Sequence, residues 1–268
     1  MKKNIRDFLV NNKWLKGVPT SLTICNSLCG FAAILYTLRV YEMENPEPVL
    51  ELSAWIILAA MIFDMFDGFT ARLFNAASMH GLQMDSLADM VTFGVAPAVM
   101  VAITAHHLRN LKAIDYYLVW CLSAIYLGCA AYRLATYNVH AMCDDKKKTD
   151  QFNGLPTPGA ASGICSLIIY YCMKEGEIKQ IVAVLPFYAG FLGILMVSNV
   201  RYVHVGKWIQ SVRRNHLRLL MLIVIICSIL YWRSLAAVIL INYYIISGPF
   251  IELYMRYKEK KEKLRAVS

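Results

Sequence analysis

A chain of 268 residues that is 58% hydrophobic, with a mean hydropathy of +0.48, can fold as a soluble domain only if its apolar residues are dispersed among polar ones. They are gathered instead into long runs, which excludes an ordinary soluble enzyme and indicates a membrane protein. The net charge of +9 would suggest nucleic acid on a soluble chain, but the basic residues lie mainly between the runs, so a membrane surface is the expected partner and no nucleic acid is.

Residues 1–19 are charged and amphipathic, with Phe8, Leu9 and Trp14 among lysines, and predict an interfacial helix rather than a cleavable signal peptide. Eight apolar runs follow, at about 20–39, 50–74, 82–105, 116–138, 158–173, 180–199, 218–232 and 234–254. Backbone in lipid must satisfy its own hydrogen bonds, and these are not short alternating segments, so the prediction is an all-α polytopic bundle of about eight transmembrane helices rather than a barrel. The organisation expected is an N-terminal interfacial segment (1–19), one membrane domain (20–254) and a basic tail (255–268). The eight cysteines lie mostly inside the runs and form no metal-ligand set with histidine, so they read as small apolar residues rather than a disulfide framework.

The first run carries two polar residues, Thr23 and Asn26, and the loop after it (Glu42 to Pro48) is acidic and is assigned no chemistry. The second run carries Asp64 and Asp67, and the third carries Asp85 and Asp89. Gly94 and Pro97 should kink or loosen the third run, either for packing or to shape a pocket. Of the 27 Lys and Arg residues, nineteen fall in 1–19, 139–156, 200–218 and 255–268, and six in the intervening segments. By the positive-inside rule, an even number of helices with both termini cytoplasmic follows.

A carboxylate at the centre of a membrane helix costs roughly 2.5 to 3.5 kcal/mol, so four require a cationic counterpart. With the second and third runs as an antiparallel hairpin turning near 76–77, Asp64 matches Asp89 and Asp67 matches Asp85. All four then lie about 12 to 20 Å along the helices from the turn. Spacings of three and four residues put both aspartates of each helix on one face. Oxygen-only ligands point to a hard divalent cation, Mg²⁺ or Mn²⁺, and four carboxylates suffice for two ions clamping a phosphoryl displacement. Gly68 permits close approach to the backbone, Ala71 is small one turn on, and Arg72 suits bidentate phosphate contact. A cation transporter is the alternative from another functional class, since such pathways also use intramembrane carboxylates.

The run Asp64-Met-Phe-Asp67-Gly68-Phe-Thr-Ala71-Arg72, followed after eight residues by Gly81-Leu-Gln-Met-Asp85-Ser-Leu-Ala-Asp89, resembles without departure the signature of the CDP-alcohol phosphatidyltransferase family. The resemblance implies a helical membrane enzyme, usually a homodimer, that moves a phosphatidyl group from a CDP-linked lipid to an alcohol and releases CMP. It implies that Asp64, Asp67, Asp85 and Asp89 hold the metal ions. Asp89 is then the general base for the acceptor hydroxyl, while Gly68, Ala71, Arg72 and Gly81 line the CDP part of the pocket.

Three further stretches, 85–97, Arg133-Leu-Ala-Thr-Tyr-Asn138 and Phe152-Asn-Gly-Leu-Pro-Thr-Pro-Gly-Ala-Ala161, are similar to the phosphatidylserine synthase branch of that family. This implies CDP-diacylglycerol and L-serine as substrates, against a sister enzyme using glycerol 3-phosphate or inositol. Thr20 departs from the asparagine many members carry after the first-run proline. Arg133 is a candidate for the serine carboxylate or the lipid phosphate, with Asn138 and Ser78 as further candidates for the acceptor pocket. Thr23 and Asn26 are candidates for the cytosine or ribose, or for polar contacts between helices. His106 and His107 fall on the opposite side of the membrane and are assigned no chemistry.

Overall fold

The computed structural model describes residues 17–73, 78–108, 113–142, 154–173, 181–200, 202, 235, 238–255 and 257–258, which are helical with short turns and contain no strand. The expected interfacial helix, the run 218–232 and nearly all of the basic tail lie outside the described residues.

Helix α1 (Val18–Leu38) starts with a proline in its first turn, where the missing N–H costs nothing, and runs into a 3-10 turn, Arg39–Glu42. Helix α2 is Glu47–Leu73. Helix α3 (Met79–Asp89) is capped by Ser78, whose hydroxyl accepts from the Gly81 backbone N–H at 3.0 Å. It continues through a π-helical turn (Met90–Val95) into α4 (Ala96–Leu108). Helices α5 (Ala113–Met142), α6 (Thr157–Cys172), α7 (Leu185–Val197) and α8 (Val238–Met255) complete the bundle.

Among the described residues, five segments are long and apolar enough to cross a membrane: Val18–Glu42, Glu47–Ala71, Met79–His107, Tyr116–Met142 and Val238–Met255. They correspond to the predicted runs 20–39, 50–74, 82–105, 116–138 and 234–254. The runs at 158–173 and 180–199 become α6 and α7, of 16 and 13 residues. At 1.5 Å per residue these are shorter than the hydrocarbon thickness. Helix α6 differs from its neighbours in being buried on nearly all sides, and its Gly159, Ala160, Ala161, Ser162 and Gly163 let other backbones approach. Outward faces of the long helices carry Phe31, Trp55, Phe69 and Trp120, as expected of surfaces covered by lipid. The six cysteines among the described residues are all unpaired. Cys165 and Cys172 are buried, whereas Cys25 and Cys121 are exposed on outward faces of α1 and α5.

The break anticipated at Gly94 and Pro97 is the π turn. Pro97 has no N–H for the carbonyl of Phe93 four residues back, and the fully buried Tyr126 of α5 replaces it, its hydroxyl donating to that carbonyl at 2.8 Å. The extra residue of the turn rotates α3 relative to α4, so the aspartate face of α3 and the packing face of α4 are set independently. On the other side of the turn, Thr92 donates its hydroxyl to the Asn26 carbonyl at 2.9 Å. That approach depends on Gly30, because a Cβ there would sit 2.5 Å from the Thr92 Oγ1 and 2.7 Å from its Cα.

Gly154, before α6, has φ +91 and donates its N–H to the Val200 carbonyl at 2.8 Å, while Leu155 donates to Leu195 at 3.0 Å. A side chain at Gly154 would collide with the Met196 carbonyl, so both conformation and space demand glycine. This pins the start of α6 against the end of α7.

Gly30→Ala should destabilise the bundle by about 1 to 3 kcal/mol through overpacking. Tyr126→Phe should cost a similar amount, about 1 to 3 kcal/mol, by orphaning the Phe93 carbonyl. Both are read as lowered thermal unfolding midpoints of the purified protein in detergent.

Candidate active site

On α2, Asp64 and Asp67 are three residues apart, and on α3, Asp85 and Asp89 are four apart, so each helix turns both carboxylates to one side. One oxygen each from Asp64, Asp67 and Asp85 lie within 4.8 Å of one another. Asp89 joins the group through a side-chain hydrogen-bond contact with Asp64. The pairing across the two helices is the one expected from the hairpin. Asp67 and Asp89 are buried, at 4% and 9% exposure, while Asp64 and Asp85 are half-buried. Residues 74–77, where the hairpin turns, lie outside the described residues.

The two aspartate helices do not pack closely on each other. Helix α1 packs against both. It also supplies their hydrogen bonds. The Thr23 hydroxyl lies 3.1 Å from Asp67 Oδ2 and 3.0 Å from the Pro19 carbonyl, its single proton serving either. Asn26 Nδ2 donates to Asp89 Oδ1 at 3.2 Å, and the Asn26 carbonyl is held in turn by Thr92. Both side chains are buried, and Asn26 Oδ1 has no hydrogen-bond partner among the described residues, so the donor end of this amide is the end in use. Of the two uses open to Thr23 and Asn26, the contacts present are those between helices, made specifically to the carboxylates.

Facing carboxylates in a low-dielectric interior repel unless a proton or a cation lies between them. The donor set, three carboxylates converging within 4.8 Å with a fourth alongside, is all oxygen and fits a hard divalent cation rather than zinc or copper.

Gly68 follows directly on Asp67, and a Cβ built on it meets nothing within 4 Å. Packing therefore does not require glycine there. Ala71 lies one turn further along α2 and is half-buried, and the side chain of Arg72 lies outside the described residues. Gly81 is in the first turn of α3, where its N–H is bound by Ser78, so Ser78 serves as the helix cap.

The three stretches that extend the resemblance beyond the aspartates meet beside them. Ser86, next to Asp85, donates to Asn138 Oδ1 at 2.9 Å, joining α3 to α5. Arg133 Nη1, on α5, donates to Thr157 Oγ1 on α6 at 3.4 Å. Asp89, Tyr137 and Tyr244 are in electrostatic contact with Arg133. Ser86 and Thr157 lie in stretches that carry the resemblance but have no individual role assigned from sequence, and nothing local marks Tyr244. His106 and His107 are at the far end of α4 from Asp89, in an aromatic cluster with Tyr41 and Tyr116.

Replacing Thr23 with Val, or Asn26 with Leu, removes a donor that orients a carboxylate. Each should weaken Mn²⁺ binding to the purified protein by about 10- to 100-fold, measured by titration calorimetry, while Thr23→Ser keeps it.

The sequence model described as CDP-alcohol phosphatidyltransferase matches residues 16–197. The chain is 32% identical over 247 residues to the CDP-diacylglycerol–serine O-phosphatidyltransferase of Helicobacter pylori (strain J99 / ATCC 700824), covering 90% of this chain and 92% of that one. It is 30% identical over 190 residues to the Bacillus subtilis (strain 168) protein of the same name, covering 71% and 92%. With the Saccharomyces cerevisiae (strain ATCC 204508 / S288c) protein of that name, identity is 33% over 162 residues, covering 59% and 54%. A helical membrane bundle with four converging aspartates at the signature positions, matched over most of its length by these relatives, belongs to the CDP-alcohol phosphatidyltransferase family.

Proposed function

We propose that this enzyme synthesises phosphatidylserine, transferring the phosphatidyl group of CDP-diacylglycerol to the hydroxyl of L-serine and releasing CMP. The observation that carries the reading is the convergence of Asp64, Asp67 and Asp85, with Asp89 against Asp64, in a chain whose Helicobacter pylori relative bears that name and covers nine-tenths of its length. A sister activity on glycerol 3-phosphate or inositol, or cation transport, has no comparable support.

The family is divalent-metal dependent, and Asp64, Asp67, Asp85 and Asp89 are the residues that would hold Mg²⁺ or Mn²⁺, in our reading as two ions. Bound there, the metal supplies charge neutralisation for the pyrophosphate. The remaining tasks belong to the chain. A serine hydroxyl is a weak nucleophile at neutral pH and needs a base within hydrogen-bond reach. Asp89 takes that role, receiving the hydroxyl proton as the serine Oγ forms its bond to the phosphorus bearing diacylglycerol. The bond from that phosphorus to the CMP oxygen breaks, and CMP leaves with the electron pair. Asn26 donates to Oδ1 of Asp89 and so orients the carboxylate that receives the proton. Gly68, Ala71, Arg72 and Gly81 line the CDP part of the pocket, with Arg72 countering phosphate charge. The open space above Gly68 is the room the nucleotide occupies. Among the described residues, no serine is hydrogen-bonded to a histidine in a way that would call for a covalent enzyme intermediate.

The same reading places eight spans in the bilayer, with both termini and the aspartates on the cytoplasmic side. The supporting observation is the concentration of Lys and Arg in the segments assigned to that side. Assembly as a homodimer is implied by the family resemblance.

With purified protein, CDP-diacylglycerol and Mn²⁺ or Mg²⁺, CMP release should depend on L-serine and stop on chelation of the metal. Release with glycerol 3-phosphate or inositol but not serine would transfer the protein to a sister activity, and no release with any alcohol would remove the enzymatic reading. Asp89→Asn should lower turnover by about 10²- to 10⁴-fold with the unfolding midpoint unchanged. Gly68→Ala should also leave the midpoint in place but raise the KM for CDP-diacylglycerol, since its new methyl group meets substrate rather than protein.

A further inference from the structure

A serine or threonine inside a helix ordinarily gives its proton to its own helix, because the carbonyl three or four residues back is the acceptor within reach. Thr23, Thr37, Ser53 and Thr136 each do so with the carbonyl four residues back, at 2.8 to 3.0 Å, and Ser162 and Ser166 with the one three residues back. Thr92 does not. It is fully buried, and its hydroxyl crosses to another helix, donating to the Asn26 carbonyl of α1 at 2.9 Å.

Thr92 is the third residue of the π turn Met90–Val95, which begins directly after Asp89. In this turn the backbone ladder reaches five residues back, as from the Ala96 N–H to the Val91 carbonyl. Asp89, just before the turn, and Thr92, within it, meet the same residue of α1. Asp89 Oδ1 accepts from Asn26 Nδ2 at 3.2 Å, while Thr92 holds the Asn26 main-chain carbonyl. One short stretch of the third span thus grips Asn26 at its side chain and at its backbone. Asn26 is itself fully buried, so no solvent replaces either contact if it turns. The turn is tied down on both flanks. A Cβ on Gly30 would stand 2.7 Å from the Thr92 Cα, so no side chain can intervene between α1 and the turn, and Tyr126 of α5 donates to the carbonyl of the neighbouring Phe93 at 2.8 Å.

We propose that Thr92 is a positioning residue of the metal site, acting through Asn26 on the carboxylate of Asp89. By holding the Asn26 carbonyl it sets the direction of the side-chain amide, and the amide sets the orientation of the carboxylate. The proposal rests on the reading of the four aspartates as a metal site. Its hydroxyl is committed to α1, so Thr92 serves as a support rather than as a ligand. The third span then carries both a metal-site carboxylate and, three residues on, the group that aims it.

The test is titration calorimetry of Mn²⁺ into the purified full-length protein in detergent, with the unfolding midpoint of the metal-free protein measured alongside. Thr92→Val keeps the shape of the side chain, removes the hydroxyl and should weaken Mn²⁺ binding by about 3- to 10-fold, whereas Thr92→Ser should keep wild-type affinity. In an Asn26→Leu background the Thr92→Val change should have no further effect on that affinity, because the group it acts through is gone. Equal affinity of the wild-type and Thr92→Val proteins overturns the proposal, and a lowered midpoint with affinity unchanged assigns Thr92 to packing alone. Additive losses in the double variant also overturn it, since Thr92 would then act by another route. In the wild-type protein Mn²⁺ should slow hydrogen exchange at the backbone amides of the π turn, by the reciprocity of coupled equilibria. Exchange there that ignores Mn²⁺ overturns the proposal even if the variants do not fold. A wild-type protein that binds no Mn²⁺ removes the metal-site reading itself, whereas one that binds it indifferently to Thr92 removes only the positioning role.

Discussion

Four carboxylates facing one another inside an apolar bundle set the terms for the rest of the structure. Their repulsion and desolvation oppose folding. Helix α1 offsets part of this by packing against both aspartate helices and giving each a donor, Thr23 to Asp67 and Asn26 to Asp89. Closing the cluster is left to a cation. A site built this way is ready to bind metal, because the cost of gathering like charges is met by the fold before the ion arrives.

Holding α1 in that place imposes its own requirements on the third span. Gly30 lets α1 approach the π turn closely enough for Thr92 to bond the Asn26 carbonyl, which fixes the amide that holds Asp89. The π turn lies just before Pro97, which cannot close an ordinary helical bond, and the carbonyl this leaves is satisfied from α5 by Tyr126. A chain of contacts therefore runs from Tyr126 through the backbone of Phe93 and the neighbouring Thr92 to Asn26 and Asp89. Helix α5 contributes again further along, where Asn138 bonds Ser86 and Arg133 reaches α6. The aspartates and their donors thus come from α1, α2 and α3, while α5 joins α3 and α6 beside them.

Much of this was legible in the sequence. Long apolar runs predict spanning helices at α1, α2, α5, α8 and the interrupted third span, because hydrocarbon thickness imposes a minimum length on each. The runs at 158–173 and 180–199 contain the shorter helices α6 and α7; α6, enclosed by other helices, need not match the bilayer, and its small residues are compatible with either setting. Gly94 and Pro97 announced a break without saying which kind, since the form it takes depends on a hydroxyl 29 residues beyond Pro97.

By itself the sequence determined that the aspartates converge. Helical periodicity within each span and the short connection between the spans leave four carboxylates at one depth on facing sides, whatever the rest of the bundle does. What only the tertiary structure decided is which neutral groups meet them. Thr23 and Asn26 bond to Asp67 and Asp89, and Arg133 bonds to Thr157, because α1 and α6 pack where they do. Helix packing is settled by side-chain volume and close backbone approach at residues such as Gly30, summed over the whole interface, and no local pattern of residues encodes that sum.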